Sequence, residues 1–198
     1  MLSDYCDDRL TDKNTTHSYI DLYQELFESK RETALHILEI GIGPAVYMNG
    51  GSIKMWTDYF YKAHVHAVDI IPIDHVNPSL ISHPRIHFHT ANDAYNINFF
   101  KNTFLSKNLV FDILLDDGPH TLESMIQFVK LYSRVMKHNA ILAIEDVQDI
   151  EWTDVLRQNT PPALQPYIEV YDRRGQKNRY DDIVFVINTN KVINLKGN

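Results

Sequence analysis

Six carboxylates stand at the ends of short apolar runs, and a histidine follows one of them by three residues. Glu39 lies within Leu35-His36-Ile37-Leu38-Glu39-Ile40, which breaks into Gly41-Ile42-Gly43. Asp69 closes His64-Val65-His66-Ala67-Val68, Asp116 and Asp117 close Phe111-Asp112-Ile113-Leu114-Leu115, and Glu145 and Asp146 close Ala140-Ile141-Leu142-Ala143-Ile144. In an open α/β sheet, ligands bind beyond the carboxyl ends of the strands, which is where all six would sit. The glycine turn brings backbone close to a ligand, because glycine lacks a Cβ and tolerates positive φ. A dinucleotide fingerprint would need a third glycine, and Val46 stands there instead. An anion at Glu39 would oppose a pyrophosphate and suit a cationic ligand. Asp69 falls where a nucleoside ribose is held through its hydroxyls. Asp117 with His120 pairs a carboxylate with an acid–base group just ahead of a helix.

The elements that must position these groups follow from periodicity. His17 to Arg31 has helical spacing, with Ser18 as a possible N-cap. Helical segments at Ser52 to Tyr61, Ala94 to Leu105, Thr121 to Met136 and Trp152 to Arg157 alternate with the apolar runs. That alternation predicts an α/β fold with a doubly wound, mostly parallel sheet. Tyr167 to Tyr171 and Ile183 to Ile187 have no helix between them and predict a C-terminal antiparallel hairpin. The chain has 198 residues, fits one domain, and carries 26 acidic against 19 basic side chains. The acidic surplus argues against nucleic acid as a partner. No apolar run reaches the ~20 residues of a membrane span, a single cysteine (Cys6) calls for no oxidising compartment, and a cytoplasmic address is the expectation. We divide the chain into residues 1-30, an N-terminal segment and helix packing on or lidding the site, and residues 31-198, the domain that carries the chemistry.

With Glu39-Ile40-Gly41-Ile42-Gly43 and Asp69, the sequence resembles the class I S-adenosylmethionine-dependent methyltransferases. Asn49-Gly50-Gly51-Ser52-Ile53-Lys54-Met55-Trp56, Leu115-Asp116-Asp117-Gly118-Pro119-His120 and Ile144-Glu145-Asp146-Val147-Gln148, with Thr11-Asp12-Lys13, His17 and Tyr19 upstream, narrow the likeness to the metal-dependent O-methyltransferases that modify macrolide sugars. The resemblance implies a Rossmann-like seven-stranded sheet of order 3-2-1-4-5-7-6, which would place Asp117 one strand spacing, ~5 Å, from Glu145 and Asp146. Carboxylates that close repel unless a cation lies between them, and hard oxygen donors without cysteine favour Mg²⁺ or Mn²⁺. The resemblance further implies Asp117, Glu145 and Asp146 as metal ligands and His120 as the catalytic base. It implies Glu39, Gly41, Gly43, Ser52, Asp69 and Asp116 as contacts of the S-adenosyl-L-methionine cofactor, and a sugar or glycoside diol as acceptor. After the third strand the family carries Gly-Asp-Gln, where this chain has Thr90-Ala91-Asn92; Asn92 can replace the glutamine amide, but Ala91 cannot replace an acid.

Blander readings stand beside these. Strand-end acids commonly cap the next helix. Lys13, His17 and Tyr19 read equally as a polar lead-in to a helix or as part of a lid. His64 and His66, with His87 and His89, share a face of neighbouring strands; hydrogen-bonded histidines account for them better than a second metal site. Two rivals remain open from the residues: a non-haem iron oxygenase built on Asp117 and His120, and a non-catalytic nucleoside-binding module. A homo-oligomer is compatible with the chain.

Overall fold

The computed structural model describes residues 1–44 and 48–191. Val46, where the third fingerprint glycine would stand, lies outside the described residues. The elements in chain order are α1 (Ile20–Phe27), β1 (His36–Ile40), α2 (Gly51–Tyr59), β2 (His64–Val68), α3 (Pro78–Ile81), β3 (Ile86–His89), α4 (Ile97–Thr103), β4 (Phe111–Asp116), α5 (Leu122–Tyr132), β5 (Met136–Ile144), α6 (Trp152–Asn159), β6 (Ile168–Asp172), α7 (Arg174–Lys177) and β7 (Ile183–Asn188). The strands form one sheet of order β3-β2-β1-β4-β5-β7-β6. β1 to β5 pair in parallel, and β7 runs antiparallel between β5 and β6.

The central strands are apolar at nearly every position because both sheet faces are covered. Ile37, Ile113, Leu115, Ile141 and Ala143 pack under α1 and α2, whereas Leu38, Ile40, Leu114, Leu142 and Ile144 pack under α4, α5 and α6. Among the described residues, no helix is long and apolar enough to cross a membrane.

Local departures from the expected elements have physical causes. α1 begins at Ile20 and no side chain caps it. Ser18 is buried and donates its hydroxyl to Asp182 Oδ2 at 2.8 Å, so it anchors the segment before the helix to the residue just ahead of β7 rather than capping α1. The fourth helix starts later than expected, at Ile97, because the Asn96 side chain accepts from the backbone N–H of Asn98 and Phe99. The stretch between β6 and β7 holds the single turn α7, closed by Asn178 in the left-handed region.

One face of β1, β2 and β3 carries five histidines. His64 and His87 hydrogen-bond at 2.8 Å, and His66 lies 3.3 Å from His89 and 3.4 Å from His36 between ring nitrogens. They pair with one another, and among the described residues they form no group of three convergent ligands. Burial pushes the His66 imidazole down to about 3, and His87, His89, His36 and His64 add to the shift. A histidine whose folded value lies below its unfolded ~6.5 binds fewer protons in the native state. Stability is therefore lost as pH falls through ~6.5, and this group alone would cost about 2 kcal/mol at pH 5. The melting temperature is expected to fall between pH 7 and pH 5, and to fall less in His66→Gln. Equal falls in the two proteins would refute the assignment.

Candidate active site

The strand ends are stitched together by backbone. Asp117 N–H donates to Ile40 C=O at 2.9 Å, Gly41 N–H to Val68 C=O at 2.9 Å, and Glu145 N–H to Asp116 C=O at 3.0 Å. Gly41 has φ +98°, and a Cβ there would stand 2.1 Å from the Asp117 carbonyl oxygen. Only glycine lets the turn after β1 pass so close to the turn after β4.

A cavity of about 350 Å³ opens beyond this seam, lined by Gly41, Gly43, Asp69, Asn92, Tyr95 and Asp117 among others. Asp69 accepts the N–H of Ile42 at 2.7 Å and of Ile71 at 3.1 Å, which fixes its carboxylate at the rim. The Asn92 amide donates to Thr90 C=O, and Ala91 beside it is held at φ +55°. Two buried carboxylates flank the seam. Glu39 accepts from Trp56 Nε1 at 2.8 Å, and Asp116 accepts from the Tyr95 hydroxyl at 2.5 Å. Among the described residues, Glu39 Oε1 and Asp116 Oδ2 are buried without a hydrogen-bond donor. Burial raises both acids to about 7, against the pull of Lys13 on Glu39 and of Tyr95 on Asp116. Unsatisfied buried oxygens of this kind suit a ligand that brings donors or positive charge, as a sulfonium nucleoside with an ammonium group does. Ser52, in the first turn of α2, lies on the neighbouring cleft.

Beside Asp117 the acids close around a point. Asp117, His120 and Asp146 each offer one ligand atom within 4.8 Å of the others. His120 Nε2 is 3.6 Å from Asp146 Oδ2 and 3.8 Å from Asp117 Oδ1. His120 and Asp146 both adopt left-handed backbone, at φ +52° and +53°. For non-glycine residues that is worth about 1 kcal/mol or more of strain each, a cost that tends to gather at functional sites. Thr121, next to His120, caps α5 through the Ser124 N–H and so fixes where the helix starts. Asp146 is further held by the Tyr19 hydroxyl at 2.5 Å. The group contains a single histidine, whereas an iron facial triad has two.

Glu145 is adjacent but differently employed. It is buried, accepts the Tyr23 hydroxyl on Oε1 at 2.7 Å, and accepts Lys13 Nζ on Oε2 at 2.5 Å. Lys13 also reaches Asp117 Oδ2 at 2.7 Å and lies 3.6 Å from Glu39 Oε1. Burial would lower its ammonium, yet the three carboxylates outweigh that and raise it well above the usual lysine value. The central place of Lys13 was not legible as a site; the only signal was its position in Thr11-Asp12-Lys13 ahead of His17 and Tyr19. Oxygen donors gathered around a compact cation are the donor set that suits Mg²⁺ or Mn²⁺.

A second cleft of about 490 Å³ lies on the other side of the seam. The N-terminal segment supplies one wall, including Arg9, Thr11 and Asp12, and Asp117, His120 and Asp146 supply the floor. The backbone of Leu10 packs on Gly51, where a Cβ would meet the Leu10 carbonyl oxygen at 2.4 Å. Gly43, Asp117 and Gly118 border both cavities, so the two lie side by side, with the carboxylate–histidine cluster next to their shared wall.

No family model matches the chain. A rhamnosyl tetracenomycin-C 2'-O-methyltransferase of Streptomyces olivaceus is 29% identical over 147 residues, covering 72% of this chain and 36% of the relative. The mycinamicin VI 2''-O-methyltransferase of Micromonospora griseorubida is 26% identical over 139 residues, covering 69% and 33%. The chain thus spans about a third of the length of the curated relatives it matches, all of them O-methyltransferases by name. Among solved structures, the MycE methyltransferase of the mycinamycin pathway, in complex with Mg, SAH and mycinamycin VI, superposes with a TM-score of 0.72 at 19% identity. It covers 94% of this chain and 54% of that one. A Methanococcus jannaschii fibrillarin pre-rRNA processing protein superposes with a TM-score of 0.54 at 18% identity, covering 81% and 68%. The fold is that of the class I S-adenosylmethionine-dependent methyltransferases.

Proposed function

We propose that this chain is the methyl-transferring part of a divalent-ion-dependent O-methyltransferase, which uses S-adenosylmethionine to methylate one hydroxyl of a sugar or glycoside diol. The observation that carries the reading is the wall that the two cavities share at Gly43, Asp117 and Gly118, next to His120 and Asp146. A methyl donor on one side and a hydroxyl on the other would meet there. The sugar O-methyltransferase activities of the curated relatives support the same reading.

In this proposal the donor lies in the first cavity, its ribose on Asp69 and its adenine near Asn92, with Gly41 and Gly43 allowing close backbone approach. The unpartnered oxygens of Glu39 and Asp116 receive donors from it, and Ser52 supports the turn from the α2 side. Asp117, Glu145 and Asp146 would hold the ion, Glu145 through the oxygen that Lys13 contacts here. Bound there, the ion supplies charge that acidifies adjacent sugar hydroxyls. His120 takes the hydroxyl proton as the oxygen attacks the sulfonium methyl; the O–CH₃ bond forms, the S–CH₃ bond breaks, and S-adenosylhomocysteine leaves with its electron pair. The N-terminal residues 1-30 close the acceptor side, and residues 31-198 supply the rest of the site.

Calorimetric titration with S-adenosylmethionine and Mg²⁺, followed by a glycoside acceptor screen with a methyl-transfer readout, tests the reading. Binding of both and EDTA-sensitive transfer are expected. Full activity in saturating EDTA removes the ion from the proposal, and failure to bind S-adenosylmethionine removes the whole of it.

A further inference from the structure

Glu145 enters the proposed ion site with both oxygens already taken, one by Tyr23 and the other by Lys13. The Lys13 side chain is 1% exposed and its ammonium lies among acids from three different strand ends, Glu39 in β1, Asp117 after β4 and Glu145 after β5. Its stem belongs to the N-terminal segment, which is seated from two directions. Leu10 rests on Gly51, and the Asn14 and Thr15 carbonyls accept from Lys177 in α7. A buried ammonium held this way compensates carboxylates that would otherwise repel.

We infer that Lys13 is an internal cation that competes with the divalent ion for Asp117 and Glu145. In the ion-free protein its ammonium holds the acids together. The ion gains Glu145 only when Lys13 gives up that oxygen. The three donors converging without Glu145 are Asp117, His120 and Asp146; with Glu145 gained, three carboxylates serve the ion and His120 is left to act on a proton. Because Lys13 is buried within the segment whose Asp8 to Asp12 and Thr15 line the second cleft, ion binding and the seating of that segment are then linked. Lys13 is a positioning residue in this scheme and touches neither donor nor acceptor. The inference rests on the ion-binding reading above.

The test is Mg²⁺ affinity, measured by calorimetry on the full chain without cofactor, in wild type and Lys13→Met. Removing a unit positive charge from a site about 4 Å away is expected to tighten Mg²⁺ by at least ~10-fold. Unchanged or weaker binding by a folded variant overturns the inference. Three buried acids without a counter-charge can prevent folding, so a second measurement uses wild type alone: amine-selective labelling read at Lys13 by peptide mass. Lys13 is expected to be protected without ion, and its labelling rate to rise at least ~10-fold at saturating Mg²⁺, as burial gives way to exposure. No rise in a protein that binds Mg²⁺ overturns the role of Lys13 and leaves the ion reading standing. Absence of Mg²⁺ binding by wild type overturns both.

Discussion

Asp117→Asn is expected to lower methyl transfer by ~10³-fold or more while S-adenosylmethionine still binds. The side chain is nearly isosteric, so the hydrogen bond from Asp117 N–H to Ile40 C=O and the close approach to Gly41 survive. What is lost is the one carboxylate among the described residues that borders the first cavity, the second cleft and the Lys13 ammonium at once. Ion-assisted acidification of a hydroxyl is worth several kcal/mol, and each 1.36 kcal/mol is a factor of ten in rate. Single-turnover transfer and cofactor titration on the same preparation separate the two effects. Activity within tenfold of wild type would mean that Asp117 does not serve the ion.

His120→Gln should lose ~10² to 10⁴ in turnover, the range for removal of a general base. Glutamine keeps a polar group near Asp146 and Asp117 but cannot accept and release a proton near neutral pH. Its effect on Mg²⁺ affinity distinguishes the two jobs that the geometry allows, since His120 Nε2 is within 4 Å of both acids. A base loses turnover and keeps the ion; a ligand loses both. Retained Mg²⁺ binding with collapsed turnover is the expected pattern, and near-wild-type turnover would take His120 out of the chemistry.

Much of this arrangement was legible in the sequence, for identifiable reasons. β1, β2, β4 and β5 announce themselves as continuous apolar runs because a parallel sheet is buried on both faces. The acids at their ends stand together because parallel strands all present the same end to one crevice. The C-terminal pair β6 and β7 was legible from the missing crossover helix. The partners of the N-terminal segment were not. Lys13 finds Glu145, Tyr19 finds Asp146 and Ser18 finds Asp182, each across more than a hundred residues of chain. No local period encodes such pairings. A polar side chain before a helix looks like a cap in sequence, and the structure turns Ser18, Lys13 and Tyr19 inward instead. Glu145 and Asp146, adjacent in sequence, have different partners for the same reason: successive residues at a strand end point to different sides.

The left-handed backbone at His120 and Asp146 bears on how this chain can change. A search for tighter folding would find an easy gain by placing glycine at either position, since the same backbone would then carry no Cβ strain. Each such step would delete a group to which the proposed transfer assigns a role. Robustness and reaction therefore pull in opposite directions at two neighbouring points of one crevice. A lineage that gave up catalysis but kept the fold would be free to drift towards glycine there, and the residues at 120 and 146 would be the place to look for its signature.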